Sequence, residues 1–227
     1  MRYVLLPGLH GSAALFDPFV QAGPAATELI LGSYPSSGPY DYDAAEVFAR
    51  ALLPRGESFV LIAESFSGPV ALRIAADPPA GLRAVVLASS FARSPIALPL
   101  RSVPDAAFAL LPMRSALPRW FLGGSERAED WDARLREVLA DVGQRAFVGR
   151  LRAIDGVDVR DLLPRVGVPL LYLQATRDRL VLPRFGREVT AGARDGRLIR
   201  LDGAHMLLQT APQACWAAIA SELYDRA

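Results

Sequence analysis

The sequence has 227 residues, of which 52% are hydrophobic and 22% are charged, so it predicts one folded domain with a packed core rather than a disordered chain. The formal net charge of +1 excludes a generally basic nucleic-acid binder. The single cysteine, Cys215, excludes an intrachain disulfide, and with only two histidines no four-ligand Cys/His zinc site can form. We therefore expect no metal site of this kind and no nucleic-acid partner.

The chain carries no apolar run of about 18 to 20 residues, the length needed to cross a bilayer. Its first residues read as a short strand entering a turn and lack the ordered parts of a secretory signal. The sequence therefore predicts a cytoplasmic protein without a membrane span.

Six short apolar runs predict β-strands. They lack polar alternation, which is typical of strands that are buried on both faces of a parallel sheet. Helical patterns separate most of them, and these begin at Asp43, at Ser65 and near Thr210. This alternation predicts a doubly wound α/β fold with a mostly parallel sheet of about six strands. The apolar runs are residues 3–6, 28–31, 59–62, 84–87, 170–173 and 198–201.

The stretch between the fourth and fifth strands is much longer than a strand-to-helix connection needs. Five prolines lie in its first part, before two helical patterns over residues 126–141 and 145–154. We interpret residues 91–163 as a helical lid inserted into a single domain of residues 1–227. Its apolar residues between Phe108 and Phe121, together with Trp131, are candidates for an acyl pocket or for packing of the lid itself.

A serine follows the third predicted strand in the pattern Ala63-Glu64-Ser65-Phe66-Ser67, immediately before a helix. Small residues on both sides of Ser65 permit a sharp turn that lifts the hydroxyl above the sheet and directs the next backbone N–H towards a reacting carbonyl. The pattern therefore makes Ser65 a candidate nucleophile, although Ser65 or Ser67 would also serve as an ordinary helix N-cap.

A serine hydroxyl needs a base, and the base needs a carboxylate to fix its tautomer. His205 follows the last predicted strand, and Asp178 follows the fifth, so both are placed at the carboxyl edge of the sheet with Ser65. His10 follows the first strand and would touch substrate or solvent. Rival carboxylates precede the fifth strand at Asp155, Asp158 and Asp161.

The loop after the first strand is a candidate oxyanion hole. In the sequence Pro7-Gly8-Leu9-His10-Gly11-Ser12, we take the N–H of Leu9 as one donor and the N–H of Phe66 as the other. An alternative register, with His10-Gly11 as the turn, makes Ser12 the donor. The loop lacks the Gly-Lys-Ser/Thr ending of a phosphate loop.

The strand–Ser65–helix turn, with Asp178 and His205 following in that order, resembles the α/β-hydrolase superfamily. It departs from the G-x-S-x-G elbow because Ala63 and Ser67 replace the glycines. The chain begins at what would be the third strand of the family fold. Its size and insertion are similar to those of small bacterial carboxylesterases that cleave a pimeloyl-carrier-protein methyl ester.

The resemblance implies a serine esterase without a cofactor, acting on a small-molecule ester through an acyl-enzyme. A thioesterase or acyltransferase would use the same residues, and a small-molecule receptor on a hydrolase fold is an alternative of another class. Arginines of the insertion, including Arg145, Arg150 and Arg152, predict a basic surface and make an acyl carrier protein a candidate partner.

Overall fold

The computed structural model describes residues 1–25, 27–96, 100–104 and 129–224. In these ranges six strands form one sheet in the spatial order β2-β1-β3-β4-β5-β6, and every neighbouring pair is parallel. This confirms the predicted sheet. The strands are β1 (Arg2–Leu6), β2 (Glu28–Leu31), β3 (Phe59–Glu64), β4 (Leu82–Ala88), β5 (Leu170–Ala175) and β6 (Gly196–Leu201).

Helices lie on both sides of this sheet, as right-handed crossovers between parallel strands require. The α-helices are α1 (Asp17–Ala22), α2 (Tyr42–Leu52), α3 (Gly68–Ala76), α4 (Glu129–Val142), α5 (Gln144–Ile154), α6 (Pro183–Gly192), α7 (Leu207–Thr210) and α8 (Pro212–Tyr224). Short 3-10 helices cover Ala13–Phe16, Ser65–Ser67, Leu100–Ser102 and Arg160–Arg165. Within the described ranges, no helix is both long and apolar enough to cross a membrane.

Consecutive residues of the central strands are buried on opposite faces of the sheet. In β3, Leu61 packs into a core with residues of α2 and α3, whereas its neighbour Ile62 packs into a second core with residues of α1 and α8. Because both faces are covered, both sets of side chains are apolar, which explains why the strand sequences show no polar alternation.

Three predicted helix starts differ from the structure by one to three residues. Helix α2 begins at Tyr42 rather than at Asp43, because Asp41 is the residue whose carboxylate accepts the Ala44 N–H, at 2.8 Å. The predicted cap at Thr210 instead ends α7, where its hydroxyl donates to the Met206 carbonyl, and α8 begins at Pro212. The helix expected from Ser65 is a 3-10 turn followed by α3, which begins at Gly68.

Two parts of the predicted lid, residues 97–99 and 105–128, lie outside the described residues, and the second includes the apolar residues from Phe108 to Phe121. The described helices of this region contact loops at the carboxyl edge of the sheet. Leu135 and Val138 of α4 form a small cluster with Leu15, which follows β1, and with Met206, which follows β6. This contact places α4 beside the loop that carries His205.

Candidate active site

The turn between β3 and α3 places Ser65 in a strained backbone conformation. Ser65 has φ of 47°, in the left-handed region that non-glycine residues rarely adopt. Its carbonyl accepts a hydrogen bond of 2.6 Å from the Ser90 hydroxyl, which holds the turn against the end of β4. A Cβ atom at Gly68 would lie 1.7 Å from the Ser90 Oγ, so this close approach requires glycine at the start of α3.

Ser67, which replaces the second glycine of the elbow pattern, uses its hydroxyl to join two loops. The side chain is fully buried; its Oγ donates to the Pro7 carbonyl and lies 2.7 Å from the Tyr34 hydroxyl. Because the Ser67 proton goes to Pro7, the Tyr34 hydroxyl is the donor in the second bond. The serine therefore ties the turn after β3 to the loop after β1.

The structure brings Ser65, His205 and Asp178 together at the carboxyl edge of the sheet. The Nε2 of His205 lies 2.9 Å from the Ser65 Oγ, and its Nδ1 lies 2.9 Å from Oδ2 of Asp178. The other carboxylate oxygen of Asp178 accepts the backbone N–H groups of Leu180 and Val181, at 2.8 and 2.9 Å. These bonds fix both oxygens of the carboxylate, so its orientation towards His205 is set by the backbone after β5.

The rival carboxylates lie elsewhere. Asp158 is exposed and pairs with Arg160, and Asp161 lies in the 3-10 helix that follows it. Asp155 caps the end of α5. Their positions leave Asp178 as the carboxylate in contact with His205.

The environment of His205 favours its protonated form. Burial of the ring opposes protonation, but the charge and hydrogen bond of Asp178, together with the nearby Glu64 carboxylate, raise the pKa of His205 above its usual value. An imidazole in this setting is a stronger base than a free one, which suits it to accept a proton from Ser65.

The loop after β1 forms a tight turn over residues 8–11. The Gly11 N–H donates to the Gly8 carbonyl at 2.9 Å, and Gly11 has φ of 71°. The Gly8 carbonyl and the Leu9 N–H share one planar peptide and point in opposite directions, so this bond turns the Leu9 N–H away from the interior of the turn. The alternative donor, the Ser12 N–H, already donates to Nδ1 of His10 at 3.2 Å.

His10 belongs to a buried polar cluster that the sequence did not predict. Because its Nδ1 accepts the Ser12 N–H, its Nε2 carries the proton and faces Oε2 of Glu64 at 3.4 Å. The same carboxylate oxygen accepts a bond of 3.1 Å from Gln209. Both His10 and Glu64 are buried, so His10 is not a solvent-exposed loop residue, and its contact with substrate stays a prediction. The sequence did carry a signal for this cluster: Glu64 is the one charged residue in the otherwise apolar strand β3, and a buried carboxylate needs polar partners.

The predicted basic surface of the insertion is also wrong at its central residue. Arg145 is exposed, but Arg150 is only 2% exposed and Arg152 donates to the Val103 carbonyl. A signal was present here too: Ala146, Arg150 and Ile154 lie four residues apart along α5, and all three are buried.

Cys215 is a core thiol, as its helical spacing predicts. It is fully buried on α8, and burial together with the Glu64 charge raises the pKa of its thiol to about 12. The thiol is therefore protonated at neutral pH and unsuited to act as a nucleophile.

A parallel sheet with a strained serine turn and an adjoining histidine and aspartate defines the class of α/β hydrolases. Comparison with known proteins agrees: the sequence model described as the alpha/beta hydrolase family matches residues 3–218, and the chain belongs to this family.

Three known proteins are similar to the chain in sequence or in structure. It is 26% identical over 223 residues to the pimeloyl-[acyl-carrier protein] methyl ester esterase of Neisseria meningitidis, a match that covers 89% of this chain and 85% of that protein. A hydrolase from Pseudomonas aeruginosa superposes with a TM-score of 0.83 at 22% identity, covering 98% of this chain and 89% of the other. The enol-lactonase of Burkholderia xenovorans gives a TM-score of 0.75 at 20% identity, covering 97% and 89%.

Proposed function

We propose that the protein is a serine hydrolase that cleaves carboxylic esters through an acyl-enzyme. The observation that carries the proposal is the arrangement of His205, whose two ring nitrogens lie 2.9 Å from the Ser65 Oγ and 2.9 Å from the Asp178 Oδ2. This arrangement supports a nucleophile, a general base and an orienting carboxylate. The name of the Neisseria relative, an ester hydrolase, supports the same reaction class.

In the proposed reaction, the Ser65 Oγ attacks the ester carbonyl while Nε2 of His205 accepts its proton. The backbone N–H groups of Leu9 and Phe66 stabilise the oxyanion, and Asp178 stays ionised and stabilises the imidazolium. His205 then donates the proton to the leaving alkoxide, so the alcohol departs. Water attacks the acyl-enzyme by the reverse proton route, which releases the acid and restores Ser65.

Steady-state hydrolysis of p-nitrophenyl esters of increasing chain length tests this proposal. Turnover by the wild type that is abolished in Ser65→Ala would support it. Saturable ester binding without turnover would contradict it and favour a receptor. A product trapped as a new ester when an added alcohol competes with water would favour an acyltransferase.

We further propose a carrier-linked acyl ester as substrate, with residues 91–163 acting as a lid over the site. The proposal is supported by the name of the Neisseria relative, by the contact of α4 with the loop of His205, and by exposed Arg145 on α5.

An acyl-carrier methyl ester should then give a higher kcat/KM than the same acyl chain as a free methyl ester. Arg145→Ser should raise KM for the carrier-linked ester alone, whereas an equal effect on both would contradict a carrier partner. Faster cleavage of an acyl-carrier thioester would favour a thioesterase.

A further inference from the structure

Arg150 is a buried cation that reaches from α5 into the loops around the proposed oxyanion hole. Its side chain is 2% exposed, and its guanidinium contacts backbone carbonyls rather than a carboxylate in the described part of the chain. The acceptors are the carbonyls of Leu9 (3.5 Å), His10 (3.3 Å), Tyr34 (3.4 Å) and Pro35 (2.8 Å). The guanidinium carbon also lies 5.8 Å from the centre of the Tyr34 ring.

The contacts with Leu9 and His10 fall on the two central residues of the turn formed by residues 8–11. In such a turn the carbonyls of the central residues are not used by the hydrogen bond that closes it, here from Gly11 to Gly8. One nitrogen of Arg150, Nη1, approaches both carbonyls. The guanidinium therefore fixes the peptide planes on the carboxyl side of the Leu9 N–H.

Gly11 allows this close approach. A Cβ at this position would lie 2.4 Å from Nη1 and 2.5 Å from Cζ of Arg150, so the guanidinium rests directly against the backbone of the turn. The other nitrogen, Nη2, binds the carbonyls of Tyr34 and Pro35 in the loop after β2. The planar fork of arginine suits this double bridge, which a lysine ammonium cannot reproduce.

A second set of contacts holds the same turn from the side of the sheet. The His10 ring is fixed by the Ser12 N–H and by Glu64, and the Pro7 carbonyl accepts the Ser67 hydroxyl. These bonds restrain Pro7 and His10 but leave the carbonyls of Leu9 and His10 to Arg150. Loss of Arg150 would therefore release the Leu9–His10 and His10–Gly11 peptides, which directly follow the Leu9 N–H, while the bond from Gly11 to Gly8 and the other contacts of the loop remain.

We infer that Arg150 is a positioning residue for the oxyanion hole, which makes the geometry of this hole depend on a helix of the insertion. The inference rests on the proposed ester hydrolysis and adds a role that acts through Leu9. Interactions made only with the transition state change kcat more than KM. Removal of an oxyanion donor lowers kcat by about 10²- to 10³-fold, so its displacement should lower kcat by about 10- to 100-fold.

The test compares the wild type with Arg150→Met, Arg150→Lys and the control Arg136→Met, an exposed arginine on α4, the neighbouring helix of the insertion. The readouts are kcat and KM for p-nitrophenyl acetate, the inhibition constant of a trifluoromethyl ketone, and the thermal unfolding midpoint. The ketone forms a tetrahedral adduct whose oxygen occupies the oxyanion hole. We expect both Arg150 variants to lose kcat and ketone affinity together, with KM changed less than about threefold and Arg136→Met unchanged.

Three outcomes would overturn the inference. One is unchanged kcat in folded Arg150→Met. Another is a loss that appears in KM while ketone affinity is retained. The third is a failure of both Arg150 variants to fold at the assay temperature, which would make Arg150 a core residue only. The wild-type arm separates these outcomes from a failure of the proposed function, because a wild type without turnover and without ketone binding would contradict ester hydrolysis itself.

Discussion

Asp178 uses both of its carboxylate oxygens, and this determines what its replacement would do. Oδ1 accepts the N–H groups of Leu180 and Val181, and Oδ2 faces Nδ1 of His205. In Asp178→Asn the amide oxygen can keep the two backbone bonds, but the amide NH₂ then faces Nδ1. The imidazole must place its proton on Nε2, where it can no longer accept the proton of Ser65.

We therefore expect Asp178→Asn to fold normally and to lose kcat by about 10⁴-fold, the size of effect found when a triad imidazole is held in the wrong tautomer. The measurement is kcat for a soluble ester, with thermal unfolding as a check on the fold. Asp158→Asn is the matched control because Asp158 is an exposed rival carboxylate paired with Arg160. Equal losses in the two variants would contradict the assignment of Asp178.

The acid limb of the pH profile should report His205. Protonated imidazole cannot act as a base, so kcat/KM should fall as the pH falls through the pKa of His205, which Asp178 and Glu64 raise above its usual value. Glu64→Gln removes one negative charge that favours the imidazolium. Its acid limb should therefore move to lower pH. A shift to higher pH, or no acid limb in the wild type, would contradict the role of His205 as the base.

At the scale of elements, the turn after β3 is joined to the loops after β1 and β2, because Ser67 bonds to Pro7 in the first of these loops and to Tyr34 in the second. Replacing Ser67 by the glycine of the family pattern should therefore not stabilise the protein. Ser67→Gly leaves the Pro7 carbonyl and the Tyr34 hydroxyl buried with lost partners. We expect the free energy of unfolding to fall by about 1–3 kcal/mol.

Denaturant unfolding of Ser67→Gly checks this value, with Ser37→Gly as a control for the added freedom of the unfolded chain, since Ser37 is exposed in a loop. In the background of Tyr34→Phe, Ser67→Gly should cost less, because the two hydroxyls share one bond. Additive effects of the two substitutions would contradict the coupling.

For the whole molecule, both faces of the sheet are buried, so adjacent residues of a strand should contribute similarly to the free energy of unfolding. Leu61 and Ile62 of β3 are both fully buried, in separate cores on opposite sides of the sheet. Replacement of either by alanine should lower the free energy of unfolding by about 2–5 kcal/mol. Val47→Ala on α2, where the side chain is 72% exposed, should change it by less than about 0.5 kcal/mol. A tolerated substitution at Leu61 or Ile62 would contradict burial on that face.

Much of the fold and of the candidate site could be predicted because both depend on local patterns. Apolar runs identify the six strands, and residues that follow parallel strands meet at one edge of the sheet, which brings Ser65, Asp178 and His205 within reach of each other. Helix starts were less predictable, since Asp41 and Asp43 both fit a cap and only the backbone geometry selects Asp41.

The contacts around Ser65, Asp178 and His205 were not predictable in the same way. Glu64 meets His10 and Gln209 across 54 and 145 residues of sequence, and Arg150 meets Leu9 across 141. No local periodicity encodes such pairs; they follow from the packing of loops and of α5 over the finished sheet. The spacing of Arg150 on the buried side of α5 indicates that it is covered, but not which carbonyls it binds.

The proposed function depends above all on Ser65 being an activated nucleophile. A fluorophosphonate reacts with an activated serine whatever the natural substrate is, so its reaction with the pure protein tests this directly, read by intact-mass measurement and peptide mapping. We expect one added phosphonyl group on Ser65 in the wild type and none in Ser65→Ala. A folded wild type that remains unlabelled, or that is labelled at another residue, would contradict the assignment of Ser65 as the nucleophile.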